Sequence, residues 1–203
     1  MIEIFLQTFI FYFIVIDPIG SAPIFLVVTE HLSIKEKIKT ALQGTFIATL
    51  ILLFFGLLGN SILAYLKISF PAFTIAGGII LFIIALEMLF GKRHQRKEEN
   101  VDFTSDKLSI FPLATPLLAG PAAITSVIVS VSSIGPNFIN QSIGMAALVA
   151  ATIATFFILF IAAKSEKIIN KKIISVISRI VAIILAGLSI QYILDGIKAF
   201  VNF

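Results

Sequence analysis

Long apolar blocks alternate with short polar breaks along the 203-residue chain, at about 3–28, 41–64, 71–90, 109–133, 142–163 and 179–200. Each block is close to the roughly 20 residues that a helix, rising about 1.5 Å per residue, needs to cross about 30 Å of hydrocarbon. A membrane barrel would instead alternate apolar and polar positions over segments of about 10 residues. The pattern predicts an all-α, polytopic membrane protein with six transmembrane helices.

Composition agrees, since 59% of the residues are hydrophobic and 13% charged, against about 25% charged in soluble domains. Cysteine is absent, which excludes disulfides, thiolate metal sites and thiol redox chemistry. His31 and His94 fall in polar loops, where a solvated imidazole is the plain reading, and no metal or other cofactor is expected. The opening "MIEI" lacks the positive region of a signal peptide, so the first span is expected to be retained.

The net charge of +4 reads as topology rather than nucleic-acid binding. Three segments carry thirteen basic residues: Lys35, Lys37 and Lys39; Lys92, Arg93, Arg96, Lys97 and Lys107; Lys164, Lys167, Lys171, Lys172 and Arg179. The opposite side holds two, Lys67 and Lys198. The positive-inside rule puts the basic side in the cytoplasm and both termini on the periplasmic or extracellular side. Residues 91–108, "GKRHQRKEENVDFTSDKL", read as a solvated cytoplasmic linker between two three-helix units, 1–90 and 109–203.

The first span contains "VIDPIGSAP" at 15–23, an acid, two prolines, a glycine and a serine within an apolar run. The second half has its own version, "ATPLLAGPAAIT" at 114–125. Laying Asp17-Pro18 over Thr115-Pro116 brings Pro23 onto Pro121, and "AGGIILFIIALEML" from Ala76 lies over "IVAIILAGLSIQYI" from Ile180, pairing Glu87 with Gln191. Three spans per half is an odd number, so the second unit enters from the opposite face. The expected architecture is two inverted three-helix repeats with a broken first helix in each, an arrangement that puts a binding site near the midplane.

Proline has no N–H and its ring collides with the carbonyl one turn earlier, so each proline pair leaves peptide groups unpaired. Lipid cannot satisfy them, and the breaks must face protein or a watery cavity. Asp17 and Thr115 are both N-cap types followed by Pro, which reads as the start of a half-helix. Gly20 and Ser21, or Gly120 alone, loosen the backbone between the prolines. Two half-helix N-termini would offer free N–H groups to an anionic group, and free carbonyls could hold an ammonium or cation. That combination suits a zwitterion.

The candidate substrate-binding residues are therefore Asp17, Pro18, Gly20, Ser21 and Pro23 with Thr115, Pro116, Gly120, Pro121 and Thr125. Asp17, Glu87 and Gln191 are candidates for ion coupling. Asp17 equally serves as a cap alone, and an acid at membrane depth is costly enough to keep it off the lipid. Glu87 also reads as an interfacial anchor, and Asp195 as a solvated residue. Gly77-Gly78, with Ala146, Ala147, Ala150, Ala151 and Ala154, reads as close helix packing.

Four stretches carry a family resemblance: "DPIGSAPIFL" at 17–26, "AGGIILFIIALEMLFG" at 76–91, "FPLATPLLAGPAAIT" at 111–125 and "RIVAIILAGLSIQYILDG" at 179–196. In order and spacing the chain resembles the MarC family of bacterial integral membrane proteins, grouped with six-span small neutral amino acid transporters. Ser21 stands where the family usually has Asn, and Ala122 and Ala182 replace frequent glycines. The resemblance implies a multi-pass protein of the bacterial inner membrane that carries small neutral amino acids or similar polar solutes. No phosphate-cradling glycine motif is present, so a proton or sodium gradient, or the solute's own, would drive transport. The alternative is a membrane scaffold or assembly protein without transport activity, and a homo-oligomer fits either reading. An enzyme is not expected, since no span holds a His, a Cys or a Ser beside a recognisable base.

Overall fold

The structure, a computed structural model, describes residues 2–90, 113–134, 137–165 and 171–201. Its helices are α1 (Ile2–Ile16), α2 (Pro18–Val28), α3 (Ile34–Tyr65), α4 (Phe70–Leu89), α5 (Pro121–Ser133), α6 (Phe138–Lys164) and α7 (Lys171–Val201), with a π-helical turn at Leu113–Leu118 before α5. The chain is a polytopic helical membrane protein. Five stretches are long and apolar enough to cross a bilayer: Ile2–Val28, Ile34–Tyr65, Phe70–Leu89, Phe138–Lys164 and Ser175–Val201.

The fourth expected span is different. Its residues 109–112, like the linker 91–108, lie outside the described residues. What is described is the π turn and the 13-residue α5, which at about 1.5 Å per residue reaches roughly 20 Å and is too short to cross alone.

Two helices also extend past the apolar blocks that announce them. α3 starts at Ile34 rather than 41, because Ser33 and Glu36 form a capping box: the Ser33 hydroxyl accepts the Glu36 N–H at 3.4 Å and the Glu36 carboxylate accepts the Ser33 N–H at 2.8 Å. α7 is helical from Lys171 rather than 179. Hydropathy marks where lipid contact begins, whereas caps and backbone bonds mark where helix begins.

Burial follows the membrane rule that small residues meet helices and large ones meet lipid. On α3, Ala41, Ala48, Leu52, Gly56 and Gly59 are buried, while Leu42, Phe46, Leu50, Phe54 and Leu57 form an exposed stripe. On α6, Ala147, Leu148, Ala151 and Thr155 are buried and Ile153, Phe157 and Ile161 exposed. α3 and α6 pack through these small faces. The alanine run of α6 thus divides: Ala147 and Ala151 are buried, Ala150 and Ala154 half-buried, and Ala146 exposed.

The most extensive pairing joins α4 and α7. A β-carbon at Gly78 would lie 2.7 Å from the Ser189 carbonyl, and one at Gly196 would lie 3.0 Å from the Pro71 carbonyl. Early α4 meets late α7, so the two run antiparallel and the end of α7 lies beside the start of α4. Other pairings include α1 and α2 on α6, α5 and the π turn on α3, α2 on α7, α5 on α4, α1 on α5, α2 on the π turn, α5 on α6 and α1 on α7.

Candidate functional site

The break in the first span is a single residue. α1 ends at Ile16, α2 begins at Pro18, and Asp17 between them is left-handed, at φ 52° and ψ 61°. Aspartate enters this region more readily than most side chains because its short polar group bonds locally. Its N–H donates to the Phe13 carbonyl at 3.1 Å, closing α1, and its own carbonyl accepts the Ser21 N–H at 3.0 Å. Its Oδ1 accepts the Gly20 N–H at 3.1 Å, and Pro18 supplies a first helical position that needs no hydrogen bond. The N-cap and N1 roles expected of Asp17 and Pro18 are the ones observed.

This joint is deeply enclosed. Asp17 is 5% exposed, and Pro18, Gly20, Ser21 and Ala22 are buried around it. Pro23 is half-buried inside α2 and does not end it. A carboxylate and the loosened backbone of the break thus sit within protein, as the hydrocarbon environment demands.

The second break differs from the expectation that Thr115 caps a half-helix opening at Pro116. The backbone places Thr115 and Pro116 inside the π turn, whose Ala119 N–H donates to the Ala114 carbonyl five residues back at 2.9 Å. The helix instead opens at Pro121, with Gly120 as an extended N-cap at φ −77° and ψ 171° and no side-chain cap. The physical reason is that Pro121, having no N–H, fits at a helix start, and Gly120 adopts the extended cap without a side chain to place. The helix start with proline in its first position is therefore at Gly120-Pro121 and not at Thr115-Pro116. The side chains of Thr115 and Pro116 lie outside the described residues.

The remaining candidates scatter. Pro121 and Thr125 border a cavity of about 370 Å³ between α3, α4 and α5, walled chiefly by apolar side chains such as Phe55, Leu63 and Phe73. Asp17, Pro18, Gly20 and Ser21 do not line it. α2, which follows the first break, packs on the π turn that precedes the second. Thr125 is buried, its hydroxyl donating to the Pro121 carbonyl at 2.8 Å, and a β-carbon at Gly77 would lie 2.5 Å from its Cγ2.

Glu87 is half-buried near the end of α4, whereas Gln191 is exposed on α7 and donates to Asp195 at 2.8 Å. In the antiparallel register of α4 and α7, Glu87 lies well along the helix from Gln191, so the structure does not bring these two together. His31 is exposed in the turn after α2, and His94 lies outside the described residues.

Sequence reading passed over one polar group. Tyr12 on α1 and Ser126 and Ser130 on α5 are all buried, and α1 packs on α5. The signal was a serine pair four residues apart within an apolar helix, a spacing that puts both on one face.

A family model described as "MarC family integral membrane protein" matches residues 2–201. The chain is 35% identical over 203 residues to a UPF0056 membrane protein of Methanocaldococcus jannaschii, covering 97% of each chain. It is 33% identical over 201 residues to a UPF0056 membrane protein of Archaeoglobus fulgidus, covering 97% of this chain and 93% of the relative. A Buchnera aphidicola UPF0056 membrane protein is 35% identical over 199 residues, with 97% and 93% covered. No solved structure matches the chain.

Proposed function

The chain belongs to the MarC family of integral membrane proteins, and from that premise we propose that it is a secondary transporter of small neutral amino acids or similar small polar solutes. The observation that carries this reading is the joint at Asp17: a buried carboxylate and a broken helix held in the interior of an apolar bundle. Breaks of this kind are where transporters expose helix ends to a substrate and its coupling ion. The residues that would act are Asp17, Pro18, Gly20 and Ser21 at the first break and the backbone around Gly120 and Pro121 at the second.

The same reading takes the two three-span units as inverted repeats, and the helix packing is what supports that part of it. Exchanging the first three-span unit for the second turns the packing of α1 and α2 on α6 into that of the π turn and α5 on α3. The same exchange turns α2 on α7 into α5 on α4, and leaves α3–α6 and α4–α7 unchanged. Alternating access would be a rocking of one unit against the other about the two breaks. The lysine and arginine asymmetry supports placing both termini on the periplasmic or extracellular face of the bacterial inner membrane. A proton or sodium gradient is the driving force this architecture fits, with Asp17 the group best placed to respond to it.

The test is uptake of radiolabelled glycine or alanine by proteoliposomes holding the purified protein, with and without an imposed pH or sodium gradient. Uptake above protein-free vesicles that falls in Asp17→Asn supports the assignment. Background uptake under every gradient overturns it.

A further inference from the structure

α7 packs chiefly on α4. Its buried positions Ser178, Ala182, Leu185, Ser189 and Gly196 recur at the three-, four- and seven-residue spacings of one helix face. Ile180, Ile184, Gln191, Asp195 and Lys198 are all exposed, and at about 100° per residue they form a single stripe on roughly the opposite side. A glutamine and an aspartate thus stand on the outward surface of a membrane-spanning helix.

The register of α4 against α7 gives the depth of Gln191. A β-carbon at Gly78 would lie 2.7 Å from the Ser189 carbonyl oxygen and 3.1 Å from the Ile193 nitrogen, so Gln191, between those two residues, is level with Gly78. α4 runs for 20 residues from Phe70 to Leu89, a rise of about 30 Å that just matches the hydrocarbon. Gly78 is near the middle of that helix, which sets Gln191 near the midplane.

Lipid offers an amide no hydrogen-bond partner at that depth. Among the described residues the one hydrogen bond of the Gln191 side chain is its donation to Asp195 at 2.8 Å, which leaves a second amide hydrogen and Oε1 on the exposed face. The cavity between α3, α4 and α5 has no α7 residue in its walls, so water held there does not reach this amide. Glutamine in a membrane-spanning helix finds its partner across a helix–helix contact.

We propose that the outward face of α7 is the interface of a homodimer in the membrane, built around a two-fold axis along the bilayer normal. Two copies inserted in the same orientation present the same residue at the same depth, and under two-fold symmetry the face meets itself. A primary amide suits that arrangement because it is donor and acceptor at once: each Gln191 gives its second hydrogen to Oε1 of the partner's Gln191. Nearer the end of α7 the face carries both signs, and Asp195 of each copy meets the partner subunit's Lys198. Ile180 and Ile184 supply apolar packing on the other side of the amides. An unrelated protein would have to match an amide and both charges at these depths, whereas a second copy of the chain carries them by identity.

Oxidative cross-linking of the full-length protein in native membranes tests the interface, and the absence of cysteine lets single thiols be placed on it. With a lipid-soluble oxidant, Ile184→Cys is expected to form a disulfide-linked pair of chains at least tenfold faster than Leu50→Cys on the exposed stripe of α3. Equal rates, the mark of chance collision, overturn the proposal, as does the lack of any linked species at Ile184→Cys. Gln191→Leu added to Ile184→Cys should slow the linkage severalfold, and an unchanged rate overturns the role of the amide. Lys198→Asp in the same background sets like charges across the axis and should slow it too. Adding Asp195→Lys to that variant reverses both charges and should restore the rate, which a misfolded chain could not do; no recovery overturns the charge pairing. None of these readouts depends on flux, so the dimer and the transport reading stand or fall separately.

Discussion

The Asp17 carboxylate accepts the Gly20 amide at 3.1 Å and fills the space that a β-carbon on Gly20 would occupy. One side chain caps α2 and, by standing over its first turn, restricts what residue 20 can be. Gly20→Ala forces the carboxylate aside, and overpacking of this kind costs about 1–3 kcal/mol. Asp17→Gly removes the obstacle, so the penalty at residue 20 should shrink in that background. Melting of the two single variants and the double variant in detergent measures the coupling; an undiminished penalty would mean that something other than the carboxylate constrains Gly20.

Asp17 performs two backbone tasks that substitutions separate. Asparagine keeps an acceptor oxygen and enters the left-handed region readily, so Asp17→Asn should stay within about 1 kcal/mol of the parent. Asp17→Ala loses the cap and keeps a β-carbon at positive φ, for a loss of about 1–2 kcal/mol. Chemical unfolding in mixed micelles gives both values. Alanine and asparagine behaving alike would show that the cap bond contributes little.

The α4–α7 seam predicts opposite outcomes for two glycines. A β-carbon at Gly78 meets the Ser189 carbonyl at 2.7 Å, a backbone atom that cannot rotate away, whereas one at Gly187 meets nothing within 4 Å. Gly78→Ala should destabilise by about 1–3 kcal/mol. Gly187→Ala should be neutral or stabilise by up to about 1 kcal/mol, because alanine is the better helix former. Equal effects in a thermal-shift comparison would refute the packing described here.

Near one end of the bundle, the Ser132 hydroxyl donates to Asn60 Oδ1 at 2.6 Å, tying α5 to α3, and to the Ile128 carbonyl at 2.7 Å. Interhelical hydrogen bonds in membrane proteins average about 0.6 kcal/mol in double-mutant cycles. Ser132→Ala and Asn60→Leu should therefore couple by roughly that amount. Additive losses would show the contact to be energetically idle.

What was legible in the sequence was what local chemistry decides. The joint at Asp17 could be read because its cap, its proline and its glycine act within three residues of one another. "ATP" at 114–116 carries the same local signal, yet the helix opens five residues later at Pro121. In the first half the corresponding proline, Pro23, lies inside α2 and ends nothing. Proline chemistry permits both outcomes, so the choice falls to tertiary packing: a β-carbon at Gly44 of α3 would collide with the Leu113 side chain, so the π turn sits hard against α3. Membrane class and apolar blocks were likewise readable from hydropathy. Helix phase was not, since Ala146 and Ala147 are chemically alike and only Ala147 is buried. The hydroxyl group of Tyr12, Ser126 and Ser130 needed three-dimensional placement, because its members come from different halves of the chain.

The contact between Gly77 and Thr125 gives the sharpest test of how the second break is held. Thr125 follows Pro121 by one turn and bonds back to its carbonyl at 2.8 Å, so its Cγ2 is fixed where a β-carbon at Gly77 would come within 2.5 Å. Gly77→Ala must then either push α4 away from α5 or break the bond to Pro121, for a loss of about 1–3 kcal/mol. Thr125→Ser keeps the hydroxyl and deletes the methyl group that collides. The double variant should recover most of the stability lost in Gly77→Ala, a recovery that Thr125→Val cannot give because it retains the bulk and removes the bond. Denaturant midpoints of the three constructions decide it: a serine that fails to rescue would place the origin of the Gly77 constraint elsewhere on α4, away from the start of α5.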